Sequence, residues 1–139
     1  MHLSLVPPVH RATHRIGLLL AATRPALGLN QGEAHLLAEL HESGPSTVGA
    51  LHRAFAHRKS TLTGILDRME ERGLVKRQLR AEDRRSFSVE LTPKGRQAAA
   101  RAHKRLADLE GAVRQRVSAS DLRGFQAVVE ALAKEAERE

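Results

Sequence analysis

Hydrophobic residues recur along this chain with two periods, and the change from one to the other marks out its parts. Pro7-Pro8 suits the first turn of a helix, and Val9, Ile16, Leu19 and Leu20 follow before Arg24-Pro25 ends it. Residues 1–7 ahead of them read as an arm. Asn30 with Glu33 three residues on makes a capping box, and Leu36, Leu37 and Leu40 continue a second helix that Gly44-Pro45 stops. Ser46 or Thr47 caps a short third helix with Val48, Leu51 and Phe55 on one face. After a turn at His57, a fourth helix runs from Lys59 to Arg72. Its Leu62, Ile65, Leu66 and Met69 fall at i, i+3, i+4 and i+7, and Gly73 supplies a left-handed stop.

The period then drops to two. Leu74, Val75 and Leu79 sit in one strand-like run, while Phe87, Val89 and Leu91 alternate with Ser86, Ser88 and Glu90 in a second. The polar stretch from Arg80 to Arg85 reads as the tip of a hairpin. Thr92-Pro93 restarts helix, and Ala102, Leu106, Leu109 and Val113 carry it to about Val117. Ser118 with Asp121 caps a last helix bearing Leu122, Phe125, Val129 and Leu132.

A helix, a short helix, a recognition-type helix and a two-stranded wing, in that order, make a winged helix-turn-helix module in a mainly α chain. The expected divisions are an N-terminal arm and dimerisation helix (1–28), the winged module (29–95) and C-terminal dimerisation helices (96–139), all within one compact domain. The flanking apolar stripes exceed what so small a module can cover. At ~1.5 Å per residue the helix from Pro93 to Val117 is about 37 Å long, and a second copy of the chain is its simplest cover.

Charge sharpens this picture. The net charge is +7, yet residues 46–105 hold 15 Lys and Arg against 6 Asp and Glu, while the rest holds 8 against 10. A basic block coinciding with the recognition helix and wing points to a polyanion partner rather than to a merely solvated face. On the fourth helix the polar face carries Ser60, Gly64, Asp67 and Glu71, flanked by Thr61, Thr63 and Arg68. Hydroxyls and Lys59 lead, and acids trail. A helix whose positive N-terminal end meets phosphates needs that order.

Other chemistries are poorly provided for. The chain has no cysteine, which excludes disulfides, thiolate metal sites, cysteine nucleophiles and thiol redox switches. Three Phe with no Trp or Tyr argue against a β-sandwich and against a base-stacking platform. Arg58-Lys59-Ser60-Thr61 lacks the glycines of a phosphate loop, and no Ser-His-Asp set has a local signature, so an enzyme is not expected. His10 and His14 stand at i, i+4 without a third ligand nearby, and His35 and His41 are no better placed. No metal or cofactor is implied. The longest apolar run, Ile16 to Ala22, is far short of the ~20 residues a bilayer requires. With no cleavage site evident, the chain reads as cytoplasmic, with no membrane partner.

Ser60-Thr61-Leu62-Thr63, Leu66-Asp67-Arg68-Met69-Glu70 and Arg72-Gly73-Leu74-Val75-Lys76-Arg77 then carry a specific likeness. With the run from Asp83-Arg84-Arg85 through Leu91-Thr92-Pro93-Lys94-Gly95, they resemble the MarR (multiple antibiotic resistance regulator) family of winged helix-turn-helix transcription factors. The resemblance covers about residues 28–137. It implies an obligate homodimer joined through its terminal helices and bound to pseudo-palindromic double-stranded operator DNA. It also implies a regulator, most often a repressor, released by a small aromatic or anionic effector. Arg11, His14 and Arg15 are candidate anion-binding groups for one, or ordinary surface residues.

The candidate DNA-binding residues are Arg58, Lys59, Ser60, Thr61, Thr63, Arg68, Arg80, Arg84 and Arg85. Of the wing pair Arg84 and Arg85, one is expected in a narrow minor groove, the other on phosphate or supporting the turn, with Asp83 orienting an arginine. Gly64 offers the groove no side chain where many members place a basic or larger polar one. Two other readings stand beside the regulator: a sequence-indifferent architectural DNA binder, and an interaction module whose winged helix no longer binds DNA.

Overall fold

Helices and strands follow one another in a computed structural model as α1 (Val6–Ala21), α2 (Gln31–Ser43), β1 (Ser46–Thr47), α3 (Val48–Phe55) and α4 (Lys59–Glu71), then β2 (Val75–Leu79), β3 (Phe87–Leu91), α5 (Pro93–Arg114) and α6 (Ala119–Ala136). The structure describes residues 1–56, 59–80, 82 and 87–138, and of Lys59 the backbone alone. The winged helix-turn-helix order is the one the periodicity predicts.

Local chemistry accounts for the helix starts. Asn30 Oδ1 accepts from the Glu33 N–H at 2.8 Å, and Glu33 Oε1 accepts from the Asn30 N–H at 3.0 Å. Ser118 and Asp121 exchange the same pair of bonds at the head of α6, at 3.1 and 2.8 Å. Thr47 caps α3 by accepting from the Ala50 N–H at 3.0 Å.

The expected two-stranded wing is a three-stranded antiparallel sheet, in the order β1-β3-β2. Ser46 pairs with Val89 and Thr47 with Ser88. A two-residue strand has no alternation to read, so the sequence of Ser46 and Thr47 indicates a cap alone. The backbone also leaves α1 at Ala21, before Arg24-Pro25, and leaves α5 at Arg114, three residues short of Val117.

Two compact units are present, Met1–Leu106 and Ala107–Glu139. In the first, Leu36, Leu37 and Leu40 of α2 pack with Leu51 of α3, Leu62, Ile65, Leu66 and Met69 of α4, Val75, Val89 and Leu91 of the sheet, and Ala99 of α5. All four apolar positions of α4 are therefore in the core, which leaves its polar face outward. In the second unit α6 has no buried residue, and its Phe125 is 63% exposed. Among the described residues, no helix is long and apolar enough to cross a membrane.

Candidate nucleic-acid interface

The outward face of α4 presents Ser60, Thr61, Thr63 and Arg68, all exposed, with no acidic residue in the first turn. The free N–H groups and positive dipole end of a helix start favour an anion there. Two of the acids at the far end, Asp67 and Glu70, are held. Arg77 reaches back from β2 and places Nη2 2.6 Å from Asp67 Oδ1 and Nε 2.8 Å from Glu70 Oε2. These bonds, that to Glu70 foremost, hold the guanidinium pKa above its ordinary value. Two negative charges on α4 are thereby compensated from the wing. In the sequence Arg77 is only one more cation. The available signal was Asp67 and Glu70 one turn apart on a helix followed directly by a basic strand.

The exit of α4 is held as firmly. Gly73 takes φ +69°, the Leu74 N–H bonds to Met69 O at 2.9 Å, and the Gly73 N–H bonds to Glu70 O at 3.0 Å. This double bond set closes a helix on a left-handed residue that glycine adopts without strain. Thr92 Oγ1 donates to Gly73 O at 2.5 Å while accepting from the Gly95 N–H at 3.0 Å, so one hydroxyl joins the end of α4 to the start of α5. Arg72 lies 3.4 Å from Glu33 Oε2 and donates to Gly28 O at 2.5 Å. Glu33, only 5% exposed, thus caps α2 with one oxygen and holds the end of α4 with the other.

In the wing, β2 and β3 pair from Val75–Leu91 out to Leu79–Phe87, with Lys76 Nζ 2.9 Å from Glu90 Oε1 across the strands. Arg80, just past β2, pairs with Glu82 at 3.3 Å on an exposed surface, a contact of small energetic weight. Arg58, Arg84 and Arg85 lie outside the described residues, as does Asp83. The structure thus brings Ser60, Thr61, Thr63 and Arg68 onto one surface behind Lys59, and sets Arg80 at the wing. It also shows that Arg72, Lys76, Arg77 and Arg80 spend charge on internal or neighbouring acids. The Arg68 side chain makes no ion pair or hydrogen bond among the described residues.

The histidines are dispersed. His10 and His14 are exposed on α1, and burial lowers the pKa of His35. The His41 ring tilts against His103 at 4.8 Å, and His103 Nε2 is 3.5 Å from Glu42 Oε2. Among the described residues, no group of three or more potential ligands is arranged for a metal ion. An open cavity of about 320 Å³ is lined by Leu40, His41, Gly44, Pro45, Glu90, Leu91 and Arg96.

A short helix, a turn, a second helix with a polar outward face and a β-wing define the winged helix-turn-helix class, whose second helix is built to enter a major groove. The family model described as MarR family matches residues 29–87, from the start of α2 into β3. Over that stretch the chain resembles the MarR family. It is similar to the structure of a probable transcriptional regulator from Pseudomonas aeruginosa, with 25% identity over 90% of this chain and 93% of that one, at a TM-score of 0.65. It also matches S. aureus MepR in its DNA-binding conformation, with 14% identity over 97% and 100% of the two chains and a TM-score of 0.83. A third match is a mutant MarR from E. coli complexed with operator DNA, with 20% identity over 92% of each chain and a TM-score of 0.71. No curated protein matches the sequence significantly.

Proposed function

We propose that this chain is a dimeric, sequence-specific DNA-binding transcriptional regulator, a repressor released by a small aromatic or anionic effector, and not an enzyme. One observation carries the reading: α4 offers an acid-free polar start, while Arg77 compensates Asp67 and Glu70 at its other end. The similar MepR and MarR structures, described in a DNA-binding conformation and with operator DNA, support it. In this reading residues 29–95 are the DNA-binding module. Ser60, Thr61 and Thr63 meet base edges or phosphates, Arg58, Lys59 and Arg68 add charge, and Arg80, Arg84 and Arg85 serve the wing. Such a regulator works in the cytoplasm. The cavity beside Arg96 is a place where an anionic effector finds a cation.

Residues 1–28 and 96–139 are assigned to dimerisation, because their apolar surface lies open in a single chain. Val9 and Leu18 on α1, Val113 on α5, and Phe125 and Val129 on α6 are all exposed. Sedimentation at micromolar concentration should give twice the 15.3 kDa chain mass. A strictly monomeric species would contradict the dimer.

Titration against a selected duplex and a random one tests the function itself. A regulator should bind the selected site at least about 10³-fold more tightly, whereas an architectural binder should show little difference. Ser60→Ala with Thr63→Ala should remove roughly 1–3 kcal/mol of discrimination for each lost base contact. Arg84→Ala should weaken most sequences alike and flatten the salt slope by about 1 per subunit. If the Arg84 variant binds like wild type and the Ser60/Thr63 variant keeps full discrimination, both contact assignments fail. Absence of binding to any duplex at low salt would leave the interaction-module reading.

A further inference from the structure

Gly64 sits in the middle of the outward face of α4, one turn after Ser60, and its missing side chain is not an empty place. A Cβ built there would stand 3.4 Å from Nη1 of Arg68. Arg68 is four residues later and on the same face, and helical side chains lean toward the N-terminus. Its guanidinium therefore lies over Gly64, one turn nearer the start of the helix than its own Cα. Glu71, three residues on, is the acid an arginine on a helix surface would ordinarily meet. Arg68 makes no bond to it. Asp67 and Glu70 are already taken by Arg77. A planar donor array without a partner among the described residues is thus held against the face that the proposed function turns toward the groove.

Resting on that proposed function, we propose that Arg68, folded back over Gly64, reads a guanine in each half-site, and that Gly64 is the clearance that lets it do so. The guanidinium presents two parallel N–H donors, which match O6 and N7 of guanine and no other base edge in the major groove. A long side chain at position 64 would displace the guanidinium. A methyl group would leave it in place, since 3.4 Å is close to ordinary contact.

The test is selection of bound duplexes from a random pool by the full-length protein and by the variants Arg68→Ala, Gly64→Ala and Gly64→Gln. All substitute exposed or half-exposed positions, and circular dichroism checks that each keeps its helix content. Wild type and Gly64→Ala should enrich the same motif, with one G·C pair repeated symmetrically. Arg68→Ala should make that pair degenerate while keeping the other positions, with a loss of about 5- to 150-fold per half-site on the wild-type motif. Gly64→Gln should alter the preference at the same pair and no other. An unchanged motif for Arg68→Ala overturns the inference, as does uniform weakening with a shallower salt slope, the mark of a phosphate contact. A wild-type pool with no enriched motif rejects the proposed function, and the inference with it.

Discussion

Gly95→Ala should destabilise the chain by about 3 kcal/mol or more, at the upper end of what overpacking costs. A Cβ on Gly95 would stand 1.8 Å from the carbonyl oxygen of Leu74 and 2.8 Å from its carbonyl carbon. Neither neighbour can yield by rotating a side chain, because both are backbone. Leu74 is fixed from two sides: its N–H bonds to Met69 O at 2.9 Å and its carbonyl accepts from the Thr92 N–H at 3.1 Å. The first turn of α5 is fixed in turn by the Thr92 hydroxyl. Relief therefore requires α5 to part from the end of α4. Gly111→Ala is the control, in the same helix with nothing within 4 Å of the added methyl. It should be neutral or stabilising by up to about 1 kcal/mol, since alanine favours helix over glycine. Denaturant unfolding of the two variants checks the contrast, and equal midpoints would contradict the close approach.

Under the proposed function, raising salt from 50 to 200 mM should weaken DNA binding by about a thousandfold, a slope of log K on log salt of roughly −5 for the proposed dimer. The basis is the surplus of cations in residues 46–105, 15 against 6 acids. The slope is bounded by the internal use of that charge. Arg72 serves Glu33, Arg77 serves Asp67 and Glu70, and Lys76 serves Glu90. Those groups release few counterions from DNA, so the slope should fall well short of one unit per basic residue. Binding constants from fluorescence anisotropy across the range decide the matter. A nearly flat line would remove the basic surface as a DNA contact.

The parts legible in the sequence were those whose physics is local. The capping boxes at Asn30–Glu33 and Ser118–Asp121 join residues three apart, and the stripe from Leu62 to Met69 repeats within one helix. Gly73 announces a left-handed stop by its identity and position. The remaining features depend on partners far along the chain. β1 exists because Ser46 and Thr47 meet β3, and two residues carry no period of their own. Arg77 reads as surface charge until the strand brings it to Asp67 and Glu70. Gly95 reads as a weak helix former, yet Leu74 leaves no space there for any other residue. Position 64 reads as a gap in the polar face of α4, and in the folded chain the Arg68 guanidinium lies over it.

The fastening of α4 is one-sided. Among the described residues, its polar bonds to other elements gather at the last turn and exit, through Asp67, Glu70, Arg72 and Gly73. Its 13 residues span about 20 Å at ~1.5 Å each, so the helix behaves as a lever with its fulcrum at the end remote from Ser60. A tilt of only ~10° about that fulcrum swings Ser60 by about 3 Å, close to the 3.4 Å separation of successive base steps. Angular play at Glu33 or Arg77 is thus magnified along the helix, about 1 Å at Ser60 for every ~3°.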